Sequence, residues 1–88
     1  MSRGRKDTNQ NAIVLELRQI GFDVDILSQY PRHPYDLVVT RNGYSVRIEL
    51  KSPGEKLTPR EQTLQDARNY PVLVAYSTAD VLAWFGII

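Results

Sequence analysis

The chain has 88 residues, 42% of them apolar, with no cysteine, one histidine, and 11 Lys and Arg against 10 Asp and Glu. That length holds one domain, and the composition excludes disulfides, Cys-ligated zinc, thiol nucleophiles and His-rich metal sites. No apolar run approaches the roughly 18–20 residues of a membrane span and no signal-peptide core stands near the start, so the expectation is a soluble cytoplasmic domain. The formal charge of +1 lacks the strongly basic footprint of a nonspecific nucleic-acid binder, so any electrostatic function must come from local arrangement.

Residues 1–7 carry Arg3, Arg5 and Lys6 around a glycine and read as a flexible basic arm, with phosphate contact as the functional alternative. From Thr8 to Ile20 the pattern is helical, with Thr8 as N-cap, Gly21 as stop, and Ile13, Val14, Leu17 and Ile20 as an apolar stripe. Gln10 falls on that stripe. A buried amide needs hydrogen-bond partners, so Gln10 is either a satisfied core group or part of a polar pocket. Phe22, Val24 and Ile26 alternate with polar residues as a first strand, and residues 28–35 (SQYPRHPY) form a loop. Asp36–Arg41 and Tyr44–Lys51 are two further strands, joined by the hairpin signal Asn42-Gly43. Thr58-Pro59-Arg60-Glu61 combines an N-cap, a proline at the first helical position and a capping box. The helix it opens runs to about Asn69, ahead of Pro71. Val72–Tyr76 reads as a buried parallel strand, and Ser77 or Thr78 caps a last helix over Ala79–Phe85. The order α-β-β-β-α-β-α predicts an α/β fold, with a mixed sheet of about four strands flanked by helices, in a single domain over 1–88.

A two-residue turn at Asn42-Gly43 fixes the hairpin register: paired residue numbers sum to 85, so Leu37 opposes Ile48 and Asp36 opposes Glu49. Alternation agrees with this pairing. Leu37, Val39, Val46, Ile48 and Leu50 share one face, suited to the core, whereas Asp36, Thr40, Ser45, Arg47, Glu49 and Lys51 share the other. Like charges placed directly opposite one another destabilise a sheet. The pair Asp36 and Glu49 therefore calls for a cation: the Lys51 ammonium, or a divalent ion that suits hard oxygen ligands, Mg²⁺ or Mn²⁺, with the Leu50 backbone carbonyl as a further donor. Mixed charges on a solvated strand face are common, so the agreement of register and face carries this reading, and the string alone does not.

Asp36 followed by Glu49-Leu50-Lys51, on a hairpin after an N-terminal helix, resembles the PD-(D/E)xK nuclease superfamily. More narrowly, the chain resembles the small virus-type replication-repair nuclease (VRR-NUC) domains of phages over about residues 8–78. The likeness rests on Asn9-Gln10, Leu17-Arg18, Leu27-Ser28, Asp36-Leu37-Val38-Val39, Glu49-Leu50-Lys51, and Leu57-Thr58-Pro59 with Gln62. It implies a restriction-endonuclease-like core and Mg²⁺- or Mn²⁺-dependent hydrolysis of DNA phosphodiester bonds. In that likeness Asp36 and Glu49 hold metal with the Leu50 carbonyl, Lys51 orients the attacking water, and Gln62 positions water or phosphate. Gln10 stands where Holliday-junction resolvases often carry a glutamate, and would act on metal through water. Two departures are a neutral Gln10 in place of that acid, and Tyr35-Asp36 in place of Pro-Asp.

Lys56 and Arg60 flank the start of the second helix as solvated charges or phosphate contacts, and His33 is an exposed loop residue or touches DNA. Trp84 and Phe85 read as core or interface anchors, and the apolar tail around them motivates a homodimer offering two sites to a branched duplex. With no base-reading helix in the sequence, the expectation is a structure-selective DNA endonuclease of branched or junction DNA in replication, repair or recombination, in a bacterial or phage-infected cell. The alternative is a nuclease fold without activity, serving as a nucleic-acid-binding or protein-interaction module.

Overall fold

The first helix, α1 (Ser2–Ile20), sets the floor of the domain. In the computed structural model, which describes residues 2–30, 32 and 34–88 and the side chains of those from residue 9 on, its backbone is helical from Ser2. The segment read as an arm therefore continues the helix, and Thr8 is not its cap. No proline interrupts 2–12, and Lys, Arg and Gln favour helix enough to carry one glycine, which costs about 1 kcal/mol. Ile13, Val14 and Leu17 are buried as expected, but Ile20 is exposed. The reason lies in how the helix ends. Gly21, at φ +114°, sends its N–H to Arg18 O (3.1 Å), and Phe22 sends its N–H to Leu17 O (3.0 Å). This Schellman pair turns the chain inward at once, so Phe22 rather than Ile20 completes the buried stripe.

The sheet has strand order β1-β2-β3-β4, formed by β1 (Asp23–Ile26), β2 (Leu37–Arg41), β3 (Tyr44–Leu50) and β4 (Val72–Ala75). The first three run antiparallel, and β4 lies parallel to β3 after the crossover through α2 (Pro59–Asp66). Asn42 (φ 51°) and Gly43 (φ 82°) form the expected primed turn. With α3 (Thr78–Trp84), the element order is α-β-β-β-α-β-α and the architecture mixed α/β, as the sequence predicts. The core lies on one side of the sheet. There Leu37, Val39, Val46, Ile48 and Leu50 pack with α1 and with Val81 of α3, while Leu82 and Phe85 press against the margin. Phe85 meets Phe22 edge to face at 5.1 Å, whereas Trp84 is exposed.

Two expectations change. The strand over Val72–Ala75 sits at the sheet edge with three of its four residues half-buried, because β3 covers only one of its sides. Helix α2 stops at Asp66, short of Asn69: Arg68 closes a tight turn onto Gln65 O (3.1 Å), and Pro71 disfavours helical backbone at Tyr70. Among the described residues, no helix is long and apolar enough to cross a membrane.

Candidate functional site

The hairpin register follows the sum of 85 from Arg41↔Tyr44 to Leu37↔Ile48 and then stops. Asp36 does not pair with Glu49 in the ladder, contrary to expectation. In a regular strand one residue's N–H and C=O face the same neighbour. At Asp36 they part: its N–H donates to Ile48 O (3.0 Å), while its carbonyl accepts from Leu27 N (2.8 Å) and Ser28 N (3.2 Å). The backbone turns here, and the buried carboxylate swings across, so that Oδ2 accepts the Leu50 N–H at 2.8 Å. It thereby occupies the place that the Tyr35 carbonyl would hold in a continued ladder.

The next peptide fixes the Leu50 carbonyl. Lys51 N–H donates to Ala75 O on β4 (3.0 Å). No peptide is cis among the described residues, so the Leu50 carbonyl of the same peptide unit points the opposite way, toward the β2 side where Asp36 lies. One carboxylate and one backbone carbonyl thus share an edge of β3. Glu49 and Lys51 project from the sheet face opposite the core, with Glu49 lining an open cleft beside Tyr35, Leu57, Leu64 and Arg68.

Lys51 is only 8% exposed, and a buried ammonium requires a partner. It finds Glu61, with Nζ 3.0 Å from Oε1 and 3.2 Å from Oε2. The sequence identified Glu61 only as the closing residue of a capping box, and it is that too: Oε1 accepts the Thr58 N–H (2.9 Å), and Thr58 Oγ1 accepts the Glu61 N–H (3.1 Å). The Thr58 N–H, and after it the Lys51 ammonium, hold the Glu61 carboxyl below its ordinary range, against the opposing effect of burial. The capping box was a usable signal, because it puts Glu61 one turn into a helix that starts near the site. Its reach to Lys51 depends on tertiary packing.

Gln62 departs from expectation. The face of α2 toward the cleft carries Glu61, Leu64 and Gln65, followed by Arg68. Gln62, about 100° away from Glu61, is exposed and donates to Asp66 (2.8 Å). Gln10 is buried and exchanges hydrogen bonds with the Ser28 hydroxyl (2.9 and 3.2 Å), which makes it a satisfied polar group that steadies the segment bonded to the Asp36 carbonyl. Lys56 and Arg60 are exposed. His33 and the side chains of Arg3, Arg5 and Lys6 lie outside the described residues.

A second cluster beside the cleft carries residues that sequence reading gave no role. The Arg47 guanidinium lies 3.9 Å from the Tyr70 ring centroid, and that of Arg68 lies 5.8 Å from the centroids of both Tyr70 and Tyr35. Arg68 Nε donates to the Tyr35 hydroxyl (2.8 Å), which also meets the Tyr70 hydroxyl (3.2 Å). Burial, then the Tyr70 hydroxyl, push the Tyr35 phenol up from its ordinary value, so it stays neutral through the physiological range. The available signal was the alternation that puts Arg47 on the face of Glu49 and Lys51.

Among the described residues, no group of three or more His, Cys, Asp or Glu side chains gathers to hold a metal ion. The oxygen donors near the end of β3 include the Asp36 and Glu49 carboxylates and the Leu50 carbonyl, beside the Glu61 carboxylate that Lys51 engages. Set against protein-family models, curated proteins and solved structures, the chain matches none.

Proposed function

We propose that the protein is a divalent-metal-dependent DNA endonuclease with a restriction-endonuclease-like core, similar to PD-(D/E)xK nucleases and directed to branched or junction DNA in a bacterial or phage-infected cytoplasm. The observation that carries the reading is the meeting of Asp36 with Leu50 at one edge of β3, with Glu49 and Lys51 on either side in sequence. Their donor set is all hard oxygen, which fits Mg²⁺ or Mn²⁺, ions that keep several waters and take one or two carboxylates. Such an ion, when bound, supplies an acidified water and offsets phosphate charge. The chain's own groups do the rest. Lys51, steadied by Glu61, offers an ammonium to the phosphate and orients water, and Gln10 with Ser28 holds the strand junction at Asp36 in place.

Exposed Trp84, Ile87 and Ile88 support self-association as a homodimer, for which sedimentation at tens of micromolar should give twice the chain mass. A noncatalytic nucleic-acid-binding role is favoured by one observation, that the Asp36 carboxylate already serves the Leu50 N–H. The test is cleavage of duplex, flap, splayed and four-way-junction DNA with Mg²⁺ or Mn²⁺. Branched substrates should be cut, and Asp36→Asn or Lys51→Met should lower the rate roughly 100-fold or more. Cleavage that survives both changes would refute the reading, and calorimetry without Mn²⁺ binding would favour the noncatalytic role.

A further inference from the structure

The cluster beside the cleft holds two positive charges that the cleavage reading leaves unused. Arg47 comes from β3, on the face away from the core. Arg68 and Tyr70 come from the connection between α2 and β4, which the parallel register Arg47↔Val72 lays alongside Arg47. Both guanidiniums stand within 6 Å of one tyrosine ring. Neither forms an ion pair with a carboxylate among the described residues, and both side chains are half-buried. A guanidinium held over an aromatic face is steadied without spending its N–H donors on that ring, and those donors suit the bidentate grip of phosphate oxygens.

We infer that Arg47 and Arg68, gathered around the Tyr70 ring, form a binding site for the phosphodiester backbone of a nucleic-acid strand lying along β3. Its position relative to cutting rests on the nuclease reading of Glu49 and Lys51. Two residues of strand separate Arg47 from Glu49, a step of about 6.5 Å, on the order of the spacing between successive phosphates of one strand. A strand whose scissile phosphate sits at Glu49 and Lys51 therefore offers its neighbouring phosphate to Arg47. Arg68 reaches the same strand from the cleft wall, fixed by the bond from its Nε to the Tyr35 hydroxyl. The Tyr35–Tyr70 hydroxyl contact ties the two rings, so the platform does not depend on either arginine alone. Phosphate contacts position a strand without reading its sequence, which accords with a structure-selective enzyme.

The experiment is fluorescence anisotropy of a labelled splayed-arm DNA in Ca²⁺ buffer, repeated over a series of salt concentrations and with a second, unrelated sequence. Arg47→Gln and Arg68→Gln should each weaken binding roughly tenfold on both sequences and reduce the slope of log K against log salt by about 1. Arg47→Lys should keep the slope and lose part of the affinity, because charge remains while the planar fork is gone. It also serves as the readout if the glutamine variant unfolds. Wild-type slope and affinity in folded Arg47→Gln and Arg68→Gln, or no DNA binding by the intact chain, would overturn the site. Binding with the expected slopes but no cleavage in Mg²⁺ or Mn²⁺ would remove the nuclease reading and leave the phosphate site standing.

Discussion

The two faces of β3 obey different rules, although their residues alternate one by one. Val46, Ile48 and Leu50 are all at most 1% exposed and belong to an apolar cluster with residues of α1, all four strands and α3. Arg47, Glu49 and Lys51 face the other way, toward α2, a helix that buries none of its residues, and toward an open cleft. The first face stabilises the domain by removing area from water, which is additive and insensitive to which partner does the covering. The second is held by particular atoms: Lys51 by Glu61, Arg47 by the Tyr70 ring, Leu50 N–H by Asp36. Fold and proposed function are therefore separable along a single strand, and neighbouring substitutions should report on different properties.

The largest effect should come from Ile48→Ala. It deletes a fully buried side chain at the centre of the sheet, where a cavity cannot collapse without moving β2 or α1, so urea denaturation should give a loss of about 2–5 kcal/mol. Arg47→Gln, one residue earlier, should cost under about 1 kcal/mol, the worth of a half-exposed cation–π contact. Equal costs for the two would erase the contrast between the faces.

Asp36 lies where the two regimes meet, and two substitutions can divide its roles. Asp36→Ala leaves the buried Leu50 N–H without its acceptor, which should cost about 1–3 kcal/mol. Asp36→Asn keeps an oxygen for that N–H but removes the charge that a metal ion needs. Its stability should therefore stay closer to wild type, while Mn²⁺ binding by calorimetry drops sharply. An asparagine variant that binds Mn²⁺ like wild type would reduce Asp36 to a strand terminator.

The same division explains what could be read in advance. Features set by a few adjacent residues were legible: the primed turn from Asn42-Gly43, the capping box from Thr58 and Glu61, the pairing of Leu37 with Ile48, and the split of the hairpin into two faces. The end of the ladder was not. Pairing arithmetic continues through Asp36, yet the chain ahead of it twists to bond β1 and β3 at once, a choice made by tertiary neighbours. Long polar side chains were equally illegible. Lys51 had Glu49 two residues away on its own face, but it pairs with Glu61 across a crossover. Gln62 and Glu61 differ by one residue, and 100° of helix decides which of them faces the sheet. Ile20 fits the helical stripe, but the Schellman turn gives its place to Phe22.

Thr58→Ala tests how much of α2 depends on its cap. Loss of the hydroxyl removes one of the two reciprocal bonds of the box, and about 1 kcal/mol of stability should go with it. The Glu61 bonds to Thr58 N–H and to Lys51 need no Thr58 side chain, so the proposed DNA cleavage should change little. A large loss of cleavage with small loss of stability would mean that the cap, and not the ion pair, positions Lys51.

The smallest effect is the most diagnostic, because it changes with pH. The folded protein holds the Glu61 carboxyl below its ordinary value of about 4.5. The unfolded chain therefore binds more protons in that region, and stability rises with pH there. The contribution is fully present above the ordinary value and fades as acidification passes down through the folded one. Glu61→Gln cannot titrate. It also keeps a side-chain oxygen for the Thr58 N–H while giving up the negative charge that faces Lys51. Wild type should exceed this variant in urea midpoint at about pH 7, and the two curves should approach one another as the pH falls to about 3. A gap that stays constant over that range would assign the stabilisation to the shape of the cap alone, and the polar face would then lack the charge-specific character that distinguishes it from the core.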